Sequence, residues 1–466
     1  MQQSAATPST LTFVTPQSLR GPAAAGPSVP PKSAAAAGPA AAPSSSSAVG
    51  SSTCLAVGLT AGVAAVSRRR AGQRGSKMAR KQAEQVVATE TKKKYLAASL
   101  PDCPKTIWNA DGLDLNALPP VGKTAPLVID AKEQNLTSEY FSAERDNIMA
   151  QLQEHGAILF RNFDNTQDAA GFREFYESLQ LNPCLDPIHT SGLREMDSKK
   201  DAVYEAVNKQ SLAGHIVGLH NESTFVKTAT YGAFVCFKPA EEGGGEFIIA
   251  DGAKILEDIP ADVRQRIYDR KVRISVSNLD LNFISALPDE GMQKGAKEWF
   301  QDFLLKAIAP KFEMDLEMIY GADGSNPYRI QAIEHPQSPV NRHPVTGKPV
   351  WFCNIHNHSR YLRDRRPCTV PEVGMTDVYY GDLSKIPPED VVAINAACEK
   401  NIIPIMMQKG DVILLDNYRV LHGRLTFKGD RKHAVTWFES QGEGNATKAT
   451  DDRPDDFMNN IMSKTF

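Results

Sequence analysis

The sequence predicts a mainly β fold with flanking helices, a double-stranded β-helix or jelly roll. Three observations carry that reading. Short runs rich in β-branched and aromatic residues recur in the second half of the chain: AFVCFK, EFIIAD, VRISVS, PVWFCNI, DVILLD and HAVTWFE. Gly, Pro and Asp turns separate them, without the regular β-α-β alternation of a parallel sheet. A few helical patterns interrupt them, chiefly AKEWFQDFLLKAIAP and PEDVVAINAACEKN, as expected of helices packed outside antiparallel sheets. The chain has 466 residues, 41% of them hydrophobic, enough to bury a large core.

The first 83 residues stand apart from the rest. They hold nine basic residues and no acid, whereas the remainder has 43 basic against 55 acidic residues, a net of −12. Ala, Ser, Pro and Gly dominate this stretch, and so little apolar surface cannot offset chain entropy, so it is expected to be disordered. Its lack of acids and its late basic cluster, Arg68-Arg69-Arg70 with Arg74, Lys77, Arg80 and Lys81, are features of an organelle transit peptide. The apolar run CLAVGLTAGVAAV has 13 residues, short of a bilayer span, so no stable membrane anchor is expected. The mildly acidic remainder argues against a nucleic-acid partner. Seven scattered cysteines, with no CxxC pair, fit reduced thiols better than a disulfide framework or a zinc-cysteine site.

Residues 84–123 form a lead-in, with a helical pattern over 84–96 followed by the loop-rich PDCPKTIWNADGLDLNALPP. The domain proper is expected over 124–440. It opens with one amphipathic helix over 138–156, carrying Tyr140, Phe141, Ile148 and Leu152 at helical spacing, and continues in the buried strand AILFRNF. Residues 441–466 read as a polar tail.

The candidate chemistry begins in LHNEST. His220 and Glu222 lie two apart, and on an extended backbone they point to one face. A third ligand, His422, ends GDVILLDNYRVLH, where a strand, a turn and a second extended segment would bring its imidazole to the mouth of a barrel. Two histidines and a carboxylate on one face leave the opposite face of an octahedral ferrous ion open. Zinc with a bound water in a hydrolase is an alternative use of the same residues.

Six motifs occur in order: HGAILFRNFD, LHNESTF, GGGEFIIADGAKILEDIP, HPVTGKPVWFCN, YYGDLSKIPPEDV and GDVILLDNYRVLHGRLTFKGDRK. In this order they resemble the taurine dioxygenase (TauD/TfdA) family of Fe(II)/2-oxoglutarate-dependent oxygenases, especially its SyrP-like branch. The resemblance implies a jelly roll in which His220, Glu222 and His422 are the catalytic metal ligands. It implies Fe(II), with 2-oxoglutarate and dioxygen as cosubstrates, the release of succinate and carbon dioxide, and removal of hydrogen from a small-molecule substrate. Arg431 matches the position that holds the distal carboxylate of 2-oxoglutarate, and its neighbour Lys432 is the alternative, one residue out of phase. Relatives commonly read GGET where this chain reads GGEF, so Phe247 replaces a threonine that helps hold the cosubstrate, and phenylalanine has no hydrogen bond to offer. That departure keeps open a non-catalytic, ligand-binding jelly roll. Glu222 keeps the carboxylate that related halogenases lack, which favours hydroxylation or desaturation.

Asn354 and Arg424 are substrate-side candidates, Arg424 with a loop-strut role as its alternative. His356 and His358 are expected to share a strand face as a polar rim at the site mouth rather than a second metal site. His343 and His215 read as structural, Trp351 and Trp437 as core aromatics, and Arg161 as either structural or functional. Substrate contacts are expected from the segments 183–218 and 277–334. The leader, with FVTP from Phe13, an Ala/Ser/Pro tract and late arginines, looks like plastid leaders of algae with complex plastids, though it lacks their initial hydrophobic signal peptide. Such algae desaturate the propionate of a protochlorophyllide to an acrylate in making chlorophyll c, using a 2-oxoglutarate oxygenase. That substrate, or a small amino, hydroxy or carboxylic acid, is the expectation.

Overall fold

Strand side chains alternate between two faces, and in the central strands of this chain both faces are apolar. Along Val412–Asp416, Val412 and Leu414 point one way and Ile413 and Leu415 the other, all four fully buried. Such a strand needs a partner layer on each side, and the fold supplies both. The computed structural model describes residues 100–442, apart from 124–125, 188–195, 282–283, 285, 308–314, 321–326 and 371–375. The leader, the expected helix over 84–96 and the tail beyond 442 lie outside the described residues.

The larger sheet runs, in spatial order, Leu127–Asp130, Ala157–Arg161, Val412–Asp416, Tyr231–Lys238, Lys432–Gln441, Val203–Glu205 and Met196–Ser198, with Leu181–Cys184 also paired to Lys432–Gln441. Its first pair is parallel and the others are antiparallel. The smaller sheet runs Ile403–Ile405, Phe247–Asp251, Val420–Arg424 and Val217–His220, with the pairings antiparallel. Leu159, Phe234, Ile413, Leu415 and Val435 from the larger sheet meet Phe247, Ile249 and Val420 from the smaller, forming the core between them. Helices cover the outer faces. Phe141, Ile148, Leu152, Phe172 and Phe175 pack on the larger sheet, and Ile255, Ile267, Val391 and Ile394 on the smaller. Two facing sheets clad in helices are the jelly roll that the sequence predicts.

Several elements differ from expectation. The helix expected over 138–156 is two, Glu139–Ala143 and Arg145–His155, broken at Glu144 without proline or glycine. The ring of Phe141 sits 4.5 Å from Phe163 and 4.8 Å from Phe175, so tertiary packing sets the first turn independently of the second. VRISVS lies in neither jelly-roll sheet. It belongs to Val272–Asp280, which joins Pro327–Ile333, Asp315–Tyr320 and Asp377–Tyr380 in a separate antiparallel sheet beside the helix Glu290–Ala307. The segment 277–334 therefore carries, besides the expected helix, strands of this separate sheet. PVWFCNI yields only the strand Pro349–Trp351, paired with Val340–Arg342. The fold also begins before residue 124: Leu100, Cys103 and Leu115 are buried, and the proline-rich lead-in is a strap laid on the domain. The six cysteines among the described residues are free thiols.

Candidate active site

The alternation that buries Leu219 and Leu421 beneath the outer helices turns their neighbours His220 and His422 toward the space between the sheets. These two strands are adjacent and antiparallel, with His220 directly opposite His422 and the ring centroids 4.4 Å apart. The glycines beside the histidines permit this close approach. A Cβ at Gly423 would lie 2.5 Å from the carbonyl oxygen of Val217, and one at Gly218 would lie 2.7 Å from that of His356. Glu222 follows just beyond the end of the first strand and is buried. One ligand atom each from His220, Glu222 and His422 lies within 4.8 Å of the others, the one such group among the described residues.

Each of the three is oriented by its surroundings. Nδ1 of His220 donates to the carbonyl of Gly218 at 2.9 Å, which leaves Nε2 with the lone pair that a metal requires. The ring of His422 stands among Phe234, Phe247 and Trp437, at centroid distances of 4.9, 6.1 and 5.7 Å. The backbone N–H of Glu222 donates to Oδ1 of Asn417 at 2.9 Å. Two imidazole nitrogens and a carboxylate, with no thiolate, are a donor set suited to ferrous iron.

At the expected cosubstrate end, Arg431 and Lys432 part company where the strand Lys432–Gln441 begins. Arg431, just before the strand, is buried, while Lys432 is half exposed and pairs with Asp197 at 3.0 Å. Lys432 is thereby corrected from a cosubstrate contact to a surface ion pair, because its ammonium group is spent on Asp197 at the surface. Nη1 of Arg431 donates to the carbonyl of Ala206 and to Oδ1 of Asn208, both at 3.0 Å. Its Nε is buried without a partner, and burial holds its pKa down at about 9. A buried guanidinium with an unanswered N–H and, among the described residues, no ion-paired carboxylate fits an anionic ligand, as 2-oxoglutarate would be. Phe247 stacks nearly parallel to His422, at 11°, and its ring lies 4.6 Å from that of Phe234. The position of the family threonine is therefore an apolar wall.

Both substrate-side candidates bond to the backbone. Asn354 spends both ends of its amide on the backbone of Asn221. Arg424 donates to the carbonyls of Leu425 and Leu212, as a loop strut would, while its Nε is buried without a partner. His356 and His358 are not a rim on a strand face but belong to the short helix Ile355–His358. Nδ1 of His356 accepts the N–H of Leu219 at 2.8 Å, and burial pushes its pKa down to about 3, which keeps it neutral. His343 is structural, bound to Asp416 at 2.8 Å, and His215 is buried, its pKa lowered to about 4 chiefly by burial. Arg161 is structural too, gripping Asp411 through Nε and Nη2. Trp437 belongs to the core between the sheets and Trp351 to the core beneath the outer helices. Sequence reasoning missed Asn417. Asn417 reads as an ordinary turn residue after a strand, and nothing in local sequence ties it to Glu222.

A jelly roll with an inward two-histidine, one-carboxylate group between its sheets is the fold and donor set expected of an Fe(II)- and 2-oxoglutarate-dependent oxygenase that uses dioxygen. The family model described as taurine catabolism dioxygenase TauD, TfdA family matches residues 120–437, and the chain belongs to that family. The dapdiamide synthesis protein DdaC of Enterobacter agglomerans is 26% identical over 290 residues, covering 60% of this chain and 81% of that protein. A clavaminate synthase-like protein of Arabidopsis thaliana is 23% identical over 318 residues, 66% of this chain and 89% of that one. Among solved structures, PvcB of Pseudomonas aeruginosa matches with a TM-score of 0.40 at 14% identity, over 74% of this chain and 95% of PvcB. Among the described residues no helix is long and apolar enough to cross a membrane.

Proposed function

We propose that His220, Glu222 and His422 hold the iron, that Arg431 receives the distal carboxylate of 2-oxoglutarate, and that the enzyme hydroxylates or desaturates a C–H bond. The observation that carries the metal assignment is the approach of those three side chains to within 4.8 Å across two separate sequence regions. Bound iron supplies the activation of dioxygen, coupled to decarboxylation of 2-oxoglutarate. The chain contributes the rest. His220, its Nδ1 fixed by Gly218, presents one nitrogen in one direction, and the aromatic wall of Phe234, Phe247 and Trp437 keeps water from the His422 side. Arg431 orients the cosubstrate by charge, which compensates for the hydroxyl absent at Phe247.

The leader supports a plastid location, and a plastid oxygenase with this site suits the desaturation of a protochlorophyllide propionate to an acrylate. A second reading, a small amino, hydroxy or carboxylic acid substrate, is favoured by the likeness to a dapdiamide synthesis protein. The full chain, titrated anaerobically with ferrous iron and then 2-oxoglutarate, should develop a visible metal-to-ligand charge-transfer band that His422→Ala loses. Absence of the band in the wild type would overturn the assignment. With dioxygen admitted, loss of two hydrogens from protochlorophyllide by mass spectrometry supports the pigment reading. Turnover of small acids alone supports the second.

A further inference from the structure

The strand that carries His220 stops pairing at His220, so Asn221 and Glu222 lie beyond the ladder. Their four backbone groups still need partners, because buried N–H and C=O groups left unpaired are costly. Two side-chain amides take all four. Oδ1 of Asn354 accepts the N–H of Asn221 at 2.9 Å, and Nδ2 donates to the carbonyl of Asn221 at 3.2 Å. Oδ1 of Asn417 accepts the N–H of Glu222 at 2.9 Å, and its Nδ2 donates to the carbonyl of Glu222 at 3.0 Å. The same Nδ2 donates to the carbonyl of Ala229 at 2.8 Å. The side chain of Asn221 answers in turn, donating to the carbonyl of Asn417 at 2.7 Å.

Each asparagine thus imitates one rung of a β-ladder, on either side of the backbone that carries the carboxylate. Asn417 has a second property. It sits in the turn between Val412–Asp416 and Val420–Arg424, the strand of His422, and is itself fully buried. One side chain therefore ties the Glu222 segment to the turn that leads into the strand of the second imidazole. Asn354 heads the helix Ile355–His358, whose His356 accepts from Leu219 and whose Asn357 accepts the N–H of Gly218 at 2.9 Å. The frame so made reaches backbone on both sides of His220.

We infer that Asn417, assisted by Asn354, is a positioning residue for the metal carboxylate. The two amides fix where Glu222 points relative to His220 and His422 without touching the metal, and metal affinity depends on them. This rests on the metal reading above, and the test separates the two. Mn(II) alone is the probe, its free-ion electron paramagnetic resonance signal being followed as the full-length protein is added. Asn417→Ala should bind Mn(II) roughly 10- to 100-fold more weakly, the usual range for residues that orient a ligand. Asn354→Ala should move in the same direction by a smaller factor, and it keeps the inference testable if Asn417→Ala does not fold.

A control distinguishes positioning from plain stability. Thr166 is fully buried and donates to the carbonyl of Gly410 at 2.6 Å, so Thr166→Ala also removes a buried hydrogen bond. It should lower Tm while leaving Mn(II) affinity per folded molecule unchanged. Wild-type affinity in both folded asparagine variants, or an equal loss in Thr166→Ala, overturns the inference. Mn(II) binding that survives Glu222→Ala at full strength overturns the metal reading itself, and the frame with it.

Discussion

Glu334 is a buried carboxyl group held by two neutral donors. It accepts the N–H of Phe225 at 3.0 Å and Nε2 of Gln337 at 2.8 Å, and burial raises its pKa from an ordinary 4.5 to about 7. Folding therefore takes up a proton between those two values. Stability should be full below about pH 4.5, fall as pH rises, and reach its lower plateau above about pH 7. Glu334→Gln keeps an acceptor for Phe225 and carries no charge. It should raise stability at pH 8 by on the order of 1 to 3 kcal/mol, with the gain vanishing at pH 4, as read by urea melts at each pH. Arg431→Ala should raise the 2-oxoglutarate requirement at least tenfold and shift Mn(II) affinity far less, as measured by separate titrations. An unchanged 2-oxoglutarate affinity would move the cosubstrate contact to another residue. The motif position favours Arg431 with Lys432 as its alternative, and packing shows which of the two is buried.

At the scale of elements, the strand with His422 and the strand with His220 touch because glycine stands where they are closest. A methyl group at Gly423 would meet two backbone oxygens, Val217 at 2.5 Å and Gly218 at 2.9 Å, and neither can swing aside as a side chain could. Gly423→Ala should force the strands apart, costing on the order of 1 to 3 kcal/mol. Because the displaced strands carry two ligands, thermal stability and Mn(II) affinity should fall together, in contrast to Thr166→Ala. Melting curves with and without Mn(II) check both. Four of the six strand-like runs, AFVCFK, EFIIAD, DVILLD and HAVTWFE, fall in the jelly-roll sheets as their composition suggests. VRISVS and PVWFCNI have the same composition and go elsewhere, since β-propensity does not name a strand's neighbour. The break at Glu144 was equally hidden, for it follows from where Phe141 packs and not from any helix-stopping residue.

At the scale of the whole molecule, the lead-in is part of the site's support. The N–H of Thr106 donates to the carbonyl of Val226 and Nε1 of Trp108 to that of Phe225, each at 2.8 Å, while the N–H of Thr228 donates to the carbonyl of Pro104 at 3.0 Å. These bonds fall on the loop immediately after Glu222. A chain beginning at residue 124 should therefore be less stable and bind Mn(II) more weakly than one beginning at residue 98. Equal Mn(II) affinity in the two would restrict the strap to a covering role.

The sequence by itself determined the class of fold, the three residues to suspect as ligands, and the family whose motifs they share. Short apolar β-branched and aromatic runs, an HxE pair at a strand end and a histidine at the end of a strand–turn–strand stretch are local patterns, and local patterns are what a linear sequence displays. Tertiary structure alone decided that Arg431 and not Lys432 is buried, that Asn354 and Arg424 bond to the backbone, that His356 and His358 lie on a short helix, and that Asn417 reaches Glu222. The physical reason is the same in each case. A hydrogen bond between residues 195 apart, such as that from Glu222 to Asn417, depends on which strands become neighbours and in what register. Those are properties of the packed sheets and not of any single run of residues.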